Sequence, residues 1–164
     1  MTIIRAAGEG EPLWFANSLM ELKAGSEETG GAFLLFELRS SRGKVTPLHS
    51  HPTEDESIYV LEGELLIHDD GTEHRAREGS FVCLPRGTPH AFMVTSETAR
   101  FLTLLTPGPA AAEAFYRAGG DPAPRRERPP QEPLDIGRIK AAAERSGAIE
   151  VLGPPPFAAA GAPA

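Results

Sequence analysis

Short stretches of apolar residues recur through the first 106 residues, and turn-forming residues separate them. Each stretch has the length of a strand, and no long helical pattern lies between them. The segment 12–22 fits a strand or a short helix by periodicity, and we interpret it as a strand. Roughly nine or ten strands at a spacing of about ten residues indicate an all-β sandwich or barrel. The predicted strands cover residues 12–22, 32–39, 45–51, 56–61, 64–68, 72–76, 80–84, 91–95 and 99–105.

The pattern changes at Pro107, because eleven of the sixteen prolines lie from that residue onward. We predict one helix over 110–118, ended by two glycines, and a second over 135–145 with Asp135 as its N-cap. A proline-rich connector joins them. We therefore expect a barrel over 1–106 and a helical, proline-rich extension over 107–164 that packs outside the barrel as part of the same domain.

Size and charge narrow the possible classes of protein. A chain of 164 residues is long enough for one domain with a sizeable core. Its formal charge of −7 disfavours a nucleic-acid partner. No apolar run approaches the roughly 20 residues needed to cross a bilayer, and the N-terminal residues lack the pattern of a signal peptide. We expect a cytoplasmic protein without a membrane partner.

The single cysteine, Cys83, rules out an intrachain disulfide. It lies in an apolar strand, where a thiol is usually buried and inert. We therefore predict a buried Cys83 without a chemical role.

The candidate chemistry begins with His49 and His51. Side chains two apart in a strand point to the same face, so both rings can share one ion, and Glu56 follows closely. A pair of solvated histidines on an exposed strand is the alternative, and the pair alone does not decide between them. A third histidine, His90, follows a proline-glycine turn. Two prolines flank the first histidines, so their strand is expected to be irregular or to lie at a sheet edge.

The stretches 43–63 and 79–90 resemble the two motifs of the cupin family. Val94, just after the second stretch, stands where the family often has Asn. The resemblance implies a jelly-roll β-barrel and one divalent transition metal, which imidazole and carboxylate ligands allow to be iron, manganese, nickel, cobalt, copper or zinc. The matching positions are Gly43, His49, His51, Glu56, Gly63, Gly79, Pro85, Gly87 and His90, and the implied metal ligands are His49, His51, Glu56 and His90.

Other residues could compete for these roles. Glu54 is an alternative carboxylate ligand, although we interpret Glu54 and Asp55 as parts of a solvated loop. His68 and His74 flank a turn and are interpreted as surface residues. Ligand pockets are mostly apolar, and the candidate lining residues, which are core residues by default, are Phe36, Ile58, Phe81 and Phe92.

A wider likeness extends over most of the chain. Residues 29–32, Phe115-Tyr116 and 149–155 resemble the single-domain bacterial cupins grouped with quercetin 2,3-dioxygenase. This likeness implies dioxygen-dependent cleavage of a flavonol-like or other enolisable aromatic compound, with Glu56 as both ligand and general base. The alternatives are a non-catalytic metal-binding cupin that captures or senses a small molecule, or a cupin isomerase or decarboxylase. Exposed sheet edges and the aromatic N-terminal strand lead us to expect a homodimer.

Overall fold

The computed structural model describes residues 2–157, which form twelve strands and three short helices. The strands are β1 (Glu11–Phe15), β2 (Ser18–Ala24), β3 (Leu34–Ser41), β4 (Leu48–Ser50), β5 (Asp55–Glu62), β6 (Glu64–Asp69), β7 (Thr72–Arg77), β8 (Phe81–Leu84), β9 (His90–Val94), β10 (Thr98–Thr106), β11 (Asp121–Pro122) and β12 (Glu150–Gly153). The helices are α1 (Ser26–Thr29), α2 (Ala110–Gly119) and α3 (Ile136–Ser146).

The strands form two antiparallel sheets. The seven-stranded sheet has the order β11-β1-β2-β3-β10-β5-β8, and the five-stranded sheet has the order β12-β4-β9-β6-β7. The prediction of a mostly β protein with a few short helices is confirmed, whereas closure of the two sheets into one barrel stays a prediction. No helix among residues 2–157 is long and apolar enough to cross a membrane.

The core lies between the sheets because the strands alternate buried and more exposed positions. In β10 the side chains of Ala99, Phe101, Thr103 and Leu105 are buried, and the residues between them are partly exposed. This period of two is expected of strands that cover a core with one face. The inward residues of several strands join in one apolar cluster.

The N-terminal segment differs from the prediction of one strand over 12–22. It forms two strands, β1 and β2, paired from Glu11 opposite Leu22 to Phe15 opposite Ser18. The turn between them, Ala16-Asn17, has positive φ at both residues, 47° and 65°. Such turns match the twist of a hairpin, but Ala is an unusual residue for this conformation, so the turn has no clear signal in the sequence.

The glycines of the two motifs share one backbone property. Gly43, Gly63, Gly79 and Gly87 all have positive φ, between 78° and 84°. L-residues with a Cβ rarely adopt this region, which explains why turns at these positions use glycine. Gly63 also lies against other backbone, because a Cβ there would be only 2.3 Å from the carbonyl oxygen of Thr98.

Strand β8 corrects two predictions. Cys83 is exposed rather than buried, and Phe81 is 65% exposed, so it belongs neither to the core nor to a pocket. The reason is that β8 is an edge strand of the seven-stranded sheet. Its alternation directs Leu84 inward and Phe81 and Cys83 to the outer face.

The C-terminal segment contributes strands as well as helices. Helices α2 and α3 lie within one or two residues of their predicted bounds, and Asp135 caps α3 by accepting a hydrogen bond from the backbone N–H of Arg138. Strand β11 pairs with β1, and β12 pairs with β4. Because β4 lies between β12 and β9, it is short and irregular but not at a sheet edge. Residues 158–164 of the predicted extension lie outside the described residues.

Candidate metal centre

Three neighbouring parts of the fold bring the predicted ligands together. His49 lies on β4 and His51 just after it, Glu56 is near the start of β5, and His90 is the first residue of β9. His49 and His90 are paired across the β4–β9 ladder. One ligand atom from each of the four residues lies within 4.8 Å of the others, and all four residues are buried.

Backbone carbonyls orient two of the imidazole rings. The Nδ1 atoms of His49 and His90 are each 2.8 Å from a carbonyl oxygen, those of Pro47 and Thr88. A carbonyl oxygen only accepts hydrogen bonds, so each Nδ1 carries the proton and donates it. The Nε2 lone pair of each neutral ring is therefore available to a metal ion, as in many protein metal sites.

Glu56 lies at the centre of the group. Its Oε2 is 3.1 Å from Nε2 of His51 and 2.9 Å from Nε2 of His90. Since Nδ1 of His90 already carries a proton, a lone pair on Nε2 would face a carboxylate oxygen directly. Two lone pairs at this distance repel each other, so a positive charge must separate them. That charge is either a second proton on the His90 ring or a metal ion bound by both atoms. The geometry therefore fits a bound cation.

The electrostatics of Glu56 and His49 favour the forms of these side chains that bind a metal. Burial raises the pKa of Glu56, but hydrogen bonds from His51 and His90 outweigh it and hold the pKa well below its usual value. Burial, with His90 and His51 nearby, lowers the pKa of His49 to about 3. Burial also opposes protonation of His90, yet its hydrogen bond with Glu56 raises the pKa overall. A carboxylate and a neutral imidazole are the forms that bind metals, so a metal ion would displace the proton that Glu56 favours on His90.

The donor set fits a divalent transition metal. Three imidazoles and one carboxylate suit iron, manganese, cobalt, nickel, copper and zinc, and the only cysteine lies elsewhere, on the exposed face of β8. Four protein donors leave positions free for other ligands in a six-coordinate ion, which is a property of catalytic rather than structural sites.

The competing residues lie outside this group. Glu54 is fully buried, which corrects its interpretation as part of a solvated loop, but its Oε2 accepts hydrogen bonds from Thr53 instead. Asp55 is partly exposed and pairs with Arg86. His74 is exposed, and partly exposed His68 accepts a hydrogen bond at Nε2 from the backbone N–H of Gly71.

A small, largely apolar cavity adjoins the metal centre. Its volume is about 60 Å³, and both His49 and Glu56 reach its wall. Of the predicted lining residues only Phe92 lines it, because Phe36 and Ile58 are packed in the core and Phe81 is on the surface. The sequence missed lining residues from distant segments, namely Phe15, Lys44, Phe115, Tyr116, Ile139 and Val151.

Only part of this wall had a sequence signal. Phe115-Tyr116 is part of the sequence's resemblance to single-domain bacterial cupins, and both residues line the cavity from α2. Lys44 lies inside the first motif but does not occupy one of its defining positions, and spacing alone does not reveal burial.

Comparison with known proteins places the chain in a family. Residues 38–105 match the Cupin domain family. Quercetin 2,3-dioxygenase of Bacillus subtilis (strain 168) is 31% identical over 142 residues, which cover 87% of this chain and 42% of that protein. An uncharacterized protein of Methanocaldococcus jannaschii is 38% identical over 48 residues, covering 29% of this chain and 38% of that protein. The chain thus spans about two fifths of the length of these curated relatives.

Solved structures share the fold at low sequence identity. KdgF from Halomonas sp. superposes with a TM-score of 0.59 at 16% identity, over 67% of this chain and 96% of that one. A predicted oxalate decarboxylase from Thermotoga maritima gives 0.59 at 23% identity, over 65% and 98%. The matched segment 38–105, which contains all four candidate ligands, therefore belongs to the Cupin domain family.

Proposed function

We propose that this protein is a metal-dependent dioxygenase of the quercetinase-like type, with a jelly-roll barrel that cleaves a flavonol-like or other enolisable aromatic compound with dioxygen. The observation that carries the proposal is the position of Glu56. Its carboxylate belongs to the metal-binding group and also reaches the wall of the apolar cavity. The 31% identity to a quercetin 2,3-dioxygenase supports the same assignment.

Glu56 is suited to act as the general base. A substrate hydroxyl that enters the cavity beside the metal centre would lie within reach of the Glu56 carboxylate, which accepts its proton. The low pKa of this carboxyl keeps it ionised before substrate binds. When bound, the metal ion supplies a Lewis acid that acidifies the hydroxyl and the redox chemistry that dioxygen requires.

The surrounding side chains position the substrate and exclude water. Phe92, Phe115 and Tyr116 present aromatic surfaces to the cavity, and such surfaces pack well against a planar ring. At about 60 Å³, however, the cavity is smaller than most ligand pockets, which measure roughly 300–1,000 Å³. A flavonol requires the wall to move, and a smaller enolisable aromatic compound requires less movement.

Oxygen uptake tests the proposal directly. Metal-replete protein is mixed with quercetin, or with smaller 3-hydroxy aromatic ketones, and dioxygen consumption is recorded. We expect Glu56→Gln to lower kcat/KM by at least about 10²-fold. A matched control, Glu73→Gln, changes an exposed residue of β7 and should behave as the wild type.

The alternatives are separate outcomes of this experiment. Metal-replete wild-type protein that consumes no dioxygen with any of these compounds would contradict the dioxygenase proposal. It would not contradict the description of the fold. Binding without turnover would instead support a cupin that captures or senses a small molecule. Conversion of a compound without dioxygen uptake would support an isomerase or decarboxylase.

A further inference from the structure

Lys44 is a lysine in an unusual place. It is 4% exposed and lines the same cavity as His49 and Glu56. Its Nζ donates a hydrogen bond to the carbonyl oxygen of Val45 at 3.0 Å and lies 5.1 Å from the centroid of the Phe92 ring. The ammonium is therefore held in place by one neutral acceptor and one aromatic face.

The charge of Lys44 lacks a direct counter-ion. Among residues 2–157, no carboxylate oxygen forms an ion pair with its Nζ within 4.0 Å, although Glu56 is near enough to favour the charged form. Burial lowers the pKa of Lys44 to about 7, and Glu56 opposes this effect. An ammonium has three N–H donors, so one hydrogen bond leaves two without a partner in the part of the chain that the structure describes. Burying such a group is costly, which suggests a role other than stability.

The backbone around Lys44 is firmly held. The N–H of Gly43 donates to the carbonyl oxygen of Val94, and the N–H of Val94 donates to the carbonyl oxygen of Lys44. These two bonds join the start of the first motif to β9, the strand that begins with His90. The backbone of Lys44 is therefore fixed relative to the metal centre, as the support of an oriented binding group needs to be.

We propose that Lys44 is a ligand-anchoring residue, so that the cavity binds aromatic compounds that carry an anionic oxygen, such as a carboxylate or phenolate, for the ammonium to bind. The inference rests on the proposed function, since it assigns a substrate class to the same cavity. The apolar wall would contact the ring, Lys44 would bind the anionic oxygen, and a hydroxyl elsewhere on the ring would face Glu56.

Two probes of nearly the same size and shape, one anionic and one neutral, test this inference. We would measure the affinities of 4-hydroxybenzoate and 4-hydroxybenzamide for the metal-loaded protein by calorimetry under nitrogen at pH 6. Charge-assisted hydrogen bonds are about twice as strong as neutral ones, so we expect the wild type to prefer the acid about tenfold or more. Lys44→Met should lose most of this preference, while Lys140→Met, at an exposed lysine, should keep it.

Several results would overturn the inference. These are equal affinity of the wild type for the two probes, no binding of either at millimolar concentration, or an unchanged preference in Lys44→Met. Lys44→Gln, which keeps a hydrogen-bond donor for Val45, provides a second variant in case the Met variant fails to fold. The measurement requires neither dioxygen nor turnover. Binding that depends on Lys44 can therefore be found in a protein that consumes no dioxygen, and dioxygen consumption can be found in a protein whose binding does not depend on Lys44.

Discussion

His49 and His90 lie directly opposite each other in the antiparallel ladder between β4 and β9, with ring centroids 4.3 Å apart. Opposite residues of an antiparallel pair have Cβ atoms about 4.5–5.5 Å apart, so strand pairing itself brings the two rings together. The two motifs, although separate in sequence, thus meet through the register of the five-stranded sheet. The metal centre depends on that register as much as on its ligands.

Removal of one ligand should empty the site. We expect His90→Ala to lower metal affinity by at least tenfold, because only three donors remain and Glu56 loses a partner. His74→Ala removes an exposed imidazole and should leave metal content unchanged. Metal content after dialysis, measured by inductively coupled plasma mass spectrometry, checks both. If His74→Ala emptied the site and His90→Ala did not, the ligand assignment would be wrong.

Two motif glycines should differ in their tolerance of alanine. Both Gly63 and Gly79 have positive φ, 84° and 81°, which costs an L-residue about 1–2 kcal/mol. A Cβ at Gly79 meets nothing within 4 Å, whereas one at Gly63 would be 2.3 Å from the carbonyl oxygen of Thr98. We expect Gly79→Ala to cost about 1–2 kcal/mol and Gly63→Ala at least about 3 kcal/mol. Urea denaturation measures both, and equal losses would contradict the clash.

Strand β12 should be needed for metal retention. Val151 pairs with His49 and also lines the cavity. Truncation after Gly147 removes this strand and the buried Ile149, and it leaves β4 as an exposed edge. We expect metal affinity to fall about 10- to 100-fold, as is common when support for a ligand is lost.

The matched control for this truncation is a chain that ends after Phe157 and so keeps all of β12. It should bind metal as the full chain does. Circular dichroism would verify that the shorter truncation product keeps its sheets. A folded product with full metal affinity would show that β12 does not support His49.

The stability of the protein should rise with pH in a way that depends on Lys44. Its folded-state pKa of about 7 lies below the ordinary value of 10.5, so between these values the unfolded chain binds more protons. Stability therefore increases as pH rises from 7 toward 10.5, by up to about 1.4 kcal/mol per pH unit. The charged and titratable groups that share its cavity are Glu56, His49 and Tyr116.

Denaturant unfolding at several pH values from 7 to 9.5 measures this dependence. The comparison is between the wild type and Lys44→Met, so that contributions from all other groups cancel. Lys140→Met should follow the wild type, because that lysine is exposed. Parallel curves for wild type and Lys44→Met would show that Lys44 is not buried as described.

The sequence indicated the candidate ligands more directly than it indicated their surroundings. Strand alternation places His49 and His51 on one face, but the full set with Glu56 and His90 was implied by the resemblance to the cupin motifs. His90 meets His49 only through the register of the β4–β9 pair. The cavity wall comes from segments far apart in the chain, including Phe15 and Val151. Which residues meet there depends on strand order, which periodicity does not reveal.

Position in a sheet explains the errors on the surface. Phe81 and Cys83 were expected to be buried because their segment is apolar, but the outer face of a last strand has no layer to cover it. The hairpin turn at Ala16-Asn17 was missed because its residues are not the usual ones for that conformation. Homodimer formation, a cytoplasmic location and the boundary at residue 106 stay predictions.

The pairing of β12 with β4 also has a consequence for biosynthesis. Ser50 and Glu150 are partners although 100 residues separate them. A ribosome adds roughly 5–20 residues per second, so β12 is synthesised several seconds after β4. The histidine strand can therefore become fully ordered only after β12 has been synthesised. Metal binding that depends on this pairing would follow the synthesis of β12, and the ions available at that stage would help to decide which ion is bound.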